Sequence, residues 1–156
     1  MNLSGMTAAE LAFLREARVA RLATADRSGR PHVVPICFAV AGEAIYSPLD
    51  EKPKRVADEQ LQRVRDVGAN AAVCLLVDRY SEDWDQLAWL QLRAQADLIA
   101  PGEDGHEAAV YALRERYPQY RRMALELRPV LRLRAERVVS WRVNDYTERG
   151  KRGGAS

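Results

Sequence analysis

From His32 to Ala41 the chain reads HVVPICFAVA, an almost unbroken apolar run, and it limits what this protein can fold into. Alternation sets His32, Val34, Ile36, Phe38 and Val40 on one side and Val33, Pro35, Cys37 and Ala39 on the other. A strand apolar on both sides belongs inside a structure, covered on both faces. Pro35 has no N–H to give a neighbouring strand, which predicts a gap or bulge in the pairing there. In front of the run, Asp26-Arg27-Ser28-Gly29 suits a tight reversal that pairs it back on Val19–Thr24 as a hairpin. Behind it, Gly42 turns the chain into a short strand, Ala44–Ser47.

The chain continues through a loop, Pro48-Leu49-Asp50-Glu51, to Lys52, Lys54 and Arg55 at the opening of a helix that Gly68 is expected to stop. In that helix Ala57, Leu61 and Val64 form the inner side. The plain reading of the three cations is a solvated helix start. Cations at a helix N-terminus oppose the macrodipole, at about 0.3–1 kcal/mol each, so a bound anion explains three of them better. Strand, loop, cations and helix start together make a cradle for a phosphate.

The remaining elements follow from pattern. Thr7 and Glu10 form a capping box for a first helix that ends near Ala17. Ala71–Val77 is a near-continuous apolar strand, and Asp78–Asp85 an acidic, aromatic loop. In the long strand from Gln86 to Ala100, Ala88, Leu90, Leu92, Ala94, Ala96 and Leu98 point one way. Trp89, Gln91, Arg93 and Gln95 point the other way, onto either a partner or wet cleft, or an exposed edge guarded by charge. A helix over His106–Arg116 is broken at Tyr117-Pro118, and a last strand runs from Val130 to Arg142. Five or six strands joined mostly by short turns, with three helices among them, predict an antiparallel barrel of α+β class. One domain over residues 1–146 is expected, followed by a disordered polar tail over 147–156.

Composition narrows the function. A hydrophobic fraction of 47%, a charged fraction of 29% and a net charge of +2 describe an ordinary globular protein and give no support to nucleic-acid binding. Arginines crowd the C-terminal third, but Glu115, Glu126 and Glu136 interleave with them and no recognition motif is present. No apolar run approaches membrane-spanning length, and Met1–Met6 lack the pattern of a secretory leader, so a cytoplasmic protein is expected. Cys37 and Cys74 lie in apolar strands and read as buried thiols. His32 and His106, the only histidines, have no metal-ligand spacing around them. No nucleophile stands near His32 in the sequence, and the carboxylates of Asp78–Asp85 read as a solvated loop, so no catalytic residue is assigned.

Three segments carry a resemblance: RVARLATADRSGRPHVVPICFAV, IYSPLDEKPKR and YSEDWDQLAWL. In this order they resemble the pyridoxamine 5′-phosphate oxidase-like split β-barrel superfamily, and within it the actinobacterial branch that uses the deazaflavin coenzyme F420. The resemblance covers nearly the whole chain, from the first helix to Trp141. It implies a homodimeric split β-barrel that holds F420, or alternatively FMN, in a groove between subunits. It also implies contacts to the ring from His32, Val33, Val34, Pro35 and Ile36, and to the phosphate from Lys52, Lys54 and Arg55. Ser47 matches a position lining the same pocket; Trp89 and Gln91 face the groove, and Trp141 reaches it from the partner subunit. Related sequences often carry glycine where this chain has Ala94, whose methyl either narrows the groove or stiffens the strand. The function so implied is hydride transfer between the deazaflavin and a small organic substrate. The alternatives are an FMN-dependent oxidoreductase and a flavin- or deazaflavin-binding protein without turnover.

Overall fold

The computed structural model describes residues 3–49 and 57–142, with 57–61 as backbone only. Its first helix, α1 (Ala8–Glu16), starts as its sequence dictates: Thr7 accepts from the Glu10 N–H, and the Glu10 carboxylate accepts from the Thr7 N–H. The hairpin β1 (Ala20–Ala25) and β2 (Pro31–Ile36) follows. Its turn is held by the Asp26 carboxylate, which accepts from the Ser28 and Arg30 N–H groups, while Gly29 takes φ +79°. Next come β3 (Ala39–Ala41), β4 (Ala44–Pro48), α2 (Ala57–Ala69), β5 (Ala72–Arg79), β6 (Ala88–Ile99), α3 (His106–Arg116) and β7 (Val130–Arg142).

The seven strands form one antiparallel sheet in the order β2-β1-β5-β6-β7-β4-β3. Its two outermost strands, β2 and β3, are consecutive in the chain and separated only by Cys37 and Phe38. One bent segment therefore brings both edges of the sheet together, and the sheet curls into an α+β split β-barrel. The seventh strand, beyond the five or six expected, arises because the 32–41 run breaks in two at this bend.

The bend is pinned from a distance. The Tyr117 hydroxyl accepts from the Phe38 N–H at 3.1 Å and lies 2.9 Å from the Phe38 carbonyl and 2.8 Å from that of Arg18. The Ser47 hydroxyl donates to the Cys37 carbonyl at 2.8 Å. Phe38 itself is fully buried.

Leu22, Leu75, Leu92 and Leu133 fill the barrel, and small residues such as Ala94, Ala96 and Ala135 let the walls approach. A second apolar cluster forms where α3 and the turns after it cover the outside of β3 and β4, around Tyr46, Ile99, Leu113 and Tyr117. The strand buried on both faces is therefore β4. The run that the sequence marks for that place is covered on one side only: in β2, Val34 and Ile36 are buried, whereas Val33 is 62% exposed and Pro35 is exposed. Pro35 causes no bulge either, since β2 pairs with β1 in unbroken register and its other edge pairs with no strand among the described residues. The bulge lies elsewhere. Arg93 pairs with Arg137 and Ala94 with Ala135, which leaves Glu136 as an extra residue in β7.

Gly68 lies inside α2 and not beyond it; the helix stops at Asn70, whose side chain accepts from the Ala72 N–H. Val64 is only half-buried, and the buried side of α2 carries Arg63, Asp66 and Val67. No helix among the described residues is long and apolar enough to cross a membrane. The expected tail over 147–156 lies outside the described residues.

Candidate cofactor-binding face

Strand alternation divides each side chain between the barrel interior and the outer face. The strand registers place Val33, Ala23, Cys74, Arg93 and Arg137 in one cross-strand row on the outside of β2, β1, β5, β6 and β7. Pro35, Arg21, Leu76, Gln91 and Val139 form the next row, and Asp78, Trp89 and Trp141 the third. The helix α3 covers the outside of β3 and β4 and, at Ile99 and Val130, one end of β6 and β7, so these three rows are left open among the described residues. An ion pair from Arg21 to Asp78, 2.6 Å long, ties the second row to the third.

Five of the residues implied by the resemblance come together here: Val33, Pro35, Trp89, Gln91 and Trp141, the last 37% exposed. Val34 and Ile36, from the same strand, point into the barrel core. His32 also lies on the inner side, opposite Thr24 in the register, and its buried Nδ1 has no hydrogen-bond partner among the described residues. Thr24 donates to Asp66 of α2 at 2.7 Å, so this end of β1 is fastened to the helix. Ser47 is buried and committed to the Cys37 carbonyl. Ala94 is buried on the inner side, so its methyl faces the barrel core and not the open face. Lys52, Lys54 and Arg55 lie outside the described residues.

The surroundings of the face are chemically simple. Burial pushes the Cys74 thiol above its usual range, and the neighbouring Arg93 partly opposes this. Both Cys74 and Cys37 are half-buried, where the apolar sequence around them predicts full burial. The loop after β5 exposes Tyr80 and Trp84 beside the third row. Leu76, Val139 and Arg21 also belong to the face; no sequence signal marks Leu76, because β5 is apolar on both sides and its sequence does not say which side is covered.

A flat flavin-type ring fits this bed. Adjacent strands are about 4.8 Å apart, so the strip over β2, β1 and β5, apolar in its first row and crossed by Arg21 in its second, is roughly 10 Å wide. The Gln91 amide, which makes no hydrogen bond among the described residues, offers both a donor and an acceptor to a polar ring edge. A separate concavity of about 700 Å³ lies beside α3, lined by Glu103, Glu107, Glu115 and Glu126 with Arg114 and Arg121. Its carboxylates outnumber its cations, and Arg114 is already paired with Glu126, so it is a poor place for a phosphate.

The fold matches several solved structures. One is the conserved hypothetical protein Rv2991 from Mycobacterium tuberculosis (TM-score 0.66, 21% identity, 88% of this chain and 85% of that one). A second is HutZ, the heme storage protein from Vibrio cholerae (0.64, 17%, 86% and 93%). A third is a FAD-binding protein from Mesorhizobium loti (0.63, 22%, 86% and 94%). No curated protein matches the chain. The family model for pyridoxamine 5′-phosphate oxidase matches residues 6–142, from just before α1 to the end of β7. With a barrel of this topology and nearly the whole chain matched, the protein belongs to the pyridoxamine 5′-phosphate oxidase family.

Proposed function

We propose that this protein is a homodimeric oxidoreductase that binds coenzyme F420 on the open sheet face and passes a hydride between the deazaflavin and a small organic substrate. The observation that carries the reading is the uncovered apolar face, with Val33 and Pro35 at one side, Trp89 and Trp141 at the other and Gln91 between them. A second copy laid over it would bury the exposed side chains and enclose a planar ligand. Val33, Pro35 and Leu76 would bed the ring, Gln91 would hold its polar edge, and Lys52, Lys54 and Arg55 would take the phosphate. Bound there, the cofactor supplies the redox chemistry. The chain's own part is to fix the exposed ring face, exclude water and place the acceptor.

FMN is the alternative cofactor. The family match favours it, and the similar FAD-binding protein makes a flavin natural on this fold. A binding protein without turnover is the other reading, and the similarity to a heme storage protein supports it.

The test is a fluorescence titration with F420 and, separately, FMN, alongside the Lys54→Ala/Arg55→Ala double variant. The reading predicts tighter F420 binding that the variant impairs, followed by substrate-dependent oxidation of the reduced form. A preference for FMN changes the cofactor and keeps the site. Binding without turnover makes this a carrier, and binding of neither cofactor removes the proposal.

A further inference from the structure

Arg93 and Arg137 are direct cross-strand partners on the open face, next to the β7 bulge. Both are exposed, and neither has a carboxylate within ion-pair distance among the described residues. Like charges placed directly opposite each other in a sheet are destabilising. Elsewhere the chain avoids this arrangement: Arg132 is held by Asp97, Arg21 by Asp78 and Arg114 by Glu126. Even Glu136, the extra residue beside Arg137, forms no ion pair among the described residues. Beyond Arg93 the same row continues as Cys74, Ala23 and Val33, a flat apolar shelf. Two forked guanidiniums beside such a shelf suit an oxyanion on the end of a planar body, since the low-polarity wall strengthens the attraction.

We propose that Arg93 and Arg137 form a seat for the phosphate or carboxylate of a small ligand whose flat part lies on the Cys74–Ala23–Val33 shelf. This anion position is distinct from the one assigned to Lys52, Lys54 and Arg55; the shelf shares Val33 with the bed proposed for the ring, so the two occupants would compete for it, whichever cofactor the protein uses.

Calorimetric titration of the full-length protein with pyrophosphate and with citrate, at low salt, tests it. The wild type should bind at least one, and the preference between them separates a phosphate from a carboxylate ligand. Arg93→Gln and Arg137→Gln should each weaken binding by about tenfold or more, and the double variant should resemble either single one, since both guanidiniums grip one ion. Arg134→Gln should change affinity less than about twofold, because that guanidinium already faces Asp97 at 3.8 Å. Relief of the like-charge pair should leave Tm unchanged or raise it. Should either Gln variant fold poorly, Arg93→Lys and Arg137→Lys keep the charge and lose the fork, and should still weaken binding. No binding of either anion by the wild type overturns the proposal, as does an equal loss in Arg134→Gln, which would mean diffuse attraction. Dissociation of a dimer by the Gln variants without any anion binding also overturns it, because carboxylates of a second copy would then occupy the pair. Neither F420 nor FMN enters this experiment, so its failure and that of the cofactor reading are separate results.

Discussion

The Tyr117 hydroxyl holds together residues far apart in the chain. It meets both backbone groups of Phe38, 79 positions away, and the Arg18 carbonyl, at the point where the barrel closes. Tyr117→Phe leaves the buried Phe38 N–H without its acceptor, which costs about 1–3 kcal/mol. Denaturant unfolding should show that loss, and Ser47→Ala, which frees only the Cys37 carbonyl, should lose about 1 kcal/mol. Cys74 reports on its surroundings in a different way. Burial raises its pKa and Arg93 pulls it back, so Arg93→Gln should move the alkylation profile of this thiol to higher pH. An unmoved profile would mean that Arg93 does not act on Cys74.

At the scale of elements, the pairing of β6 with β7 is fastened by a two-pronged contact. Arg132 donates to both Asp97 oxygens at 3.0 and 2.6 Å, and this hydrogen bonding holds the Asp97 carboxyl below its usual range. With the folded pKa below the unfolded one, the stabilisation is fully present above the ordinary carboxylate pKa and is lost as pH falls through the depressed value. Unfolding curves from neutral to acid pH should therefore fall less steeply for Asp97→Asn than for the wild type. The two sides of β2 give a sharper contrast. Val34→Asp buries an unpaired charge in the core and should prevent stable folding. Val33→Asp, on the open side of the same strand, should leave the single chain folded, as circular dichroism would show.

For the whole molecule, the large question is what covers the open face. Val33 and Trp141 expose apolar surface there, with half-buried Leu76 and Trp89 between them, and a second copy is the occupant proposed above. Under the dimer proposal, Val33→Asp should shift sedimentation from dimer to monomer and weaken cofactor binding together. A variant that remains dimeric and binds normally would place the interface elsewhere. Much of the architecture is legible in the sequence because its signals are local. The Thr7–Glu10 box starts α1, the Asp26–Gly29 turn makes the hairpin, and the alternation in β6 orients Trp89 and Gln91. The site is less legible. Of the strand proposed to contact the ring, only Val33 and Pro35 lie on the face, and Ser47 serves as a brace for the barrel seam.

The sequence by itself determined the class of fold, the bounds of the last strand, the capping box of the first helix, the turn of the first hairpin and the family. Each of these depends on residues close together in the chain, where turn chemistry and alternation act directly. Only the tertiary structure decided that the apolar 32–41 run breaks at Cys37 and Phe38, and that β4 is the strand covered on both sides. Only it decided that Val33 looks outward, that Ala94 looks inward, and that Arg93 stands opposite Arg137. A run apolar on both faces records that both are to be covered. What covers each face depends on the barrel's curl, on the grip of a tyrosine 79 residues away, and on where α3 comes to rest.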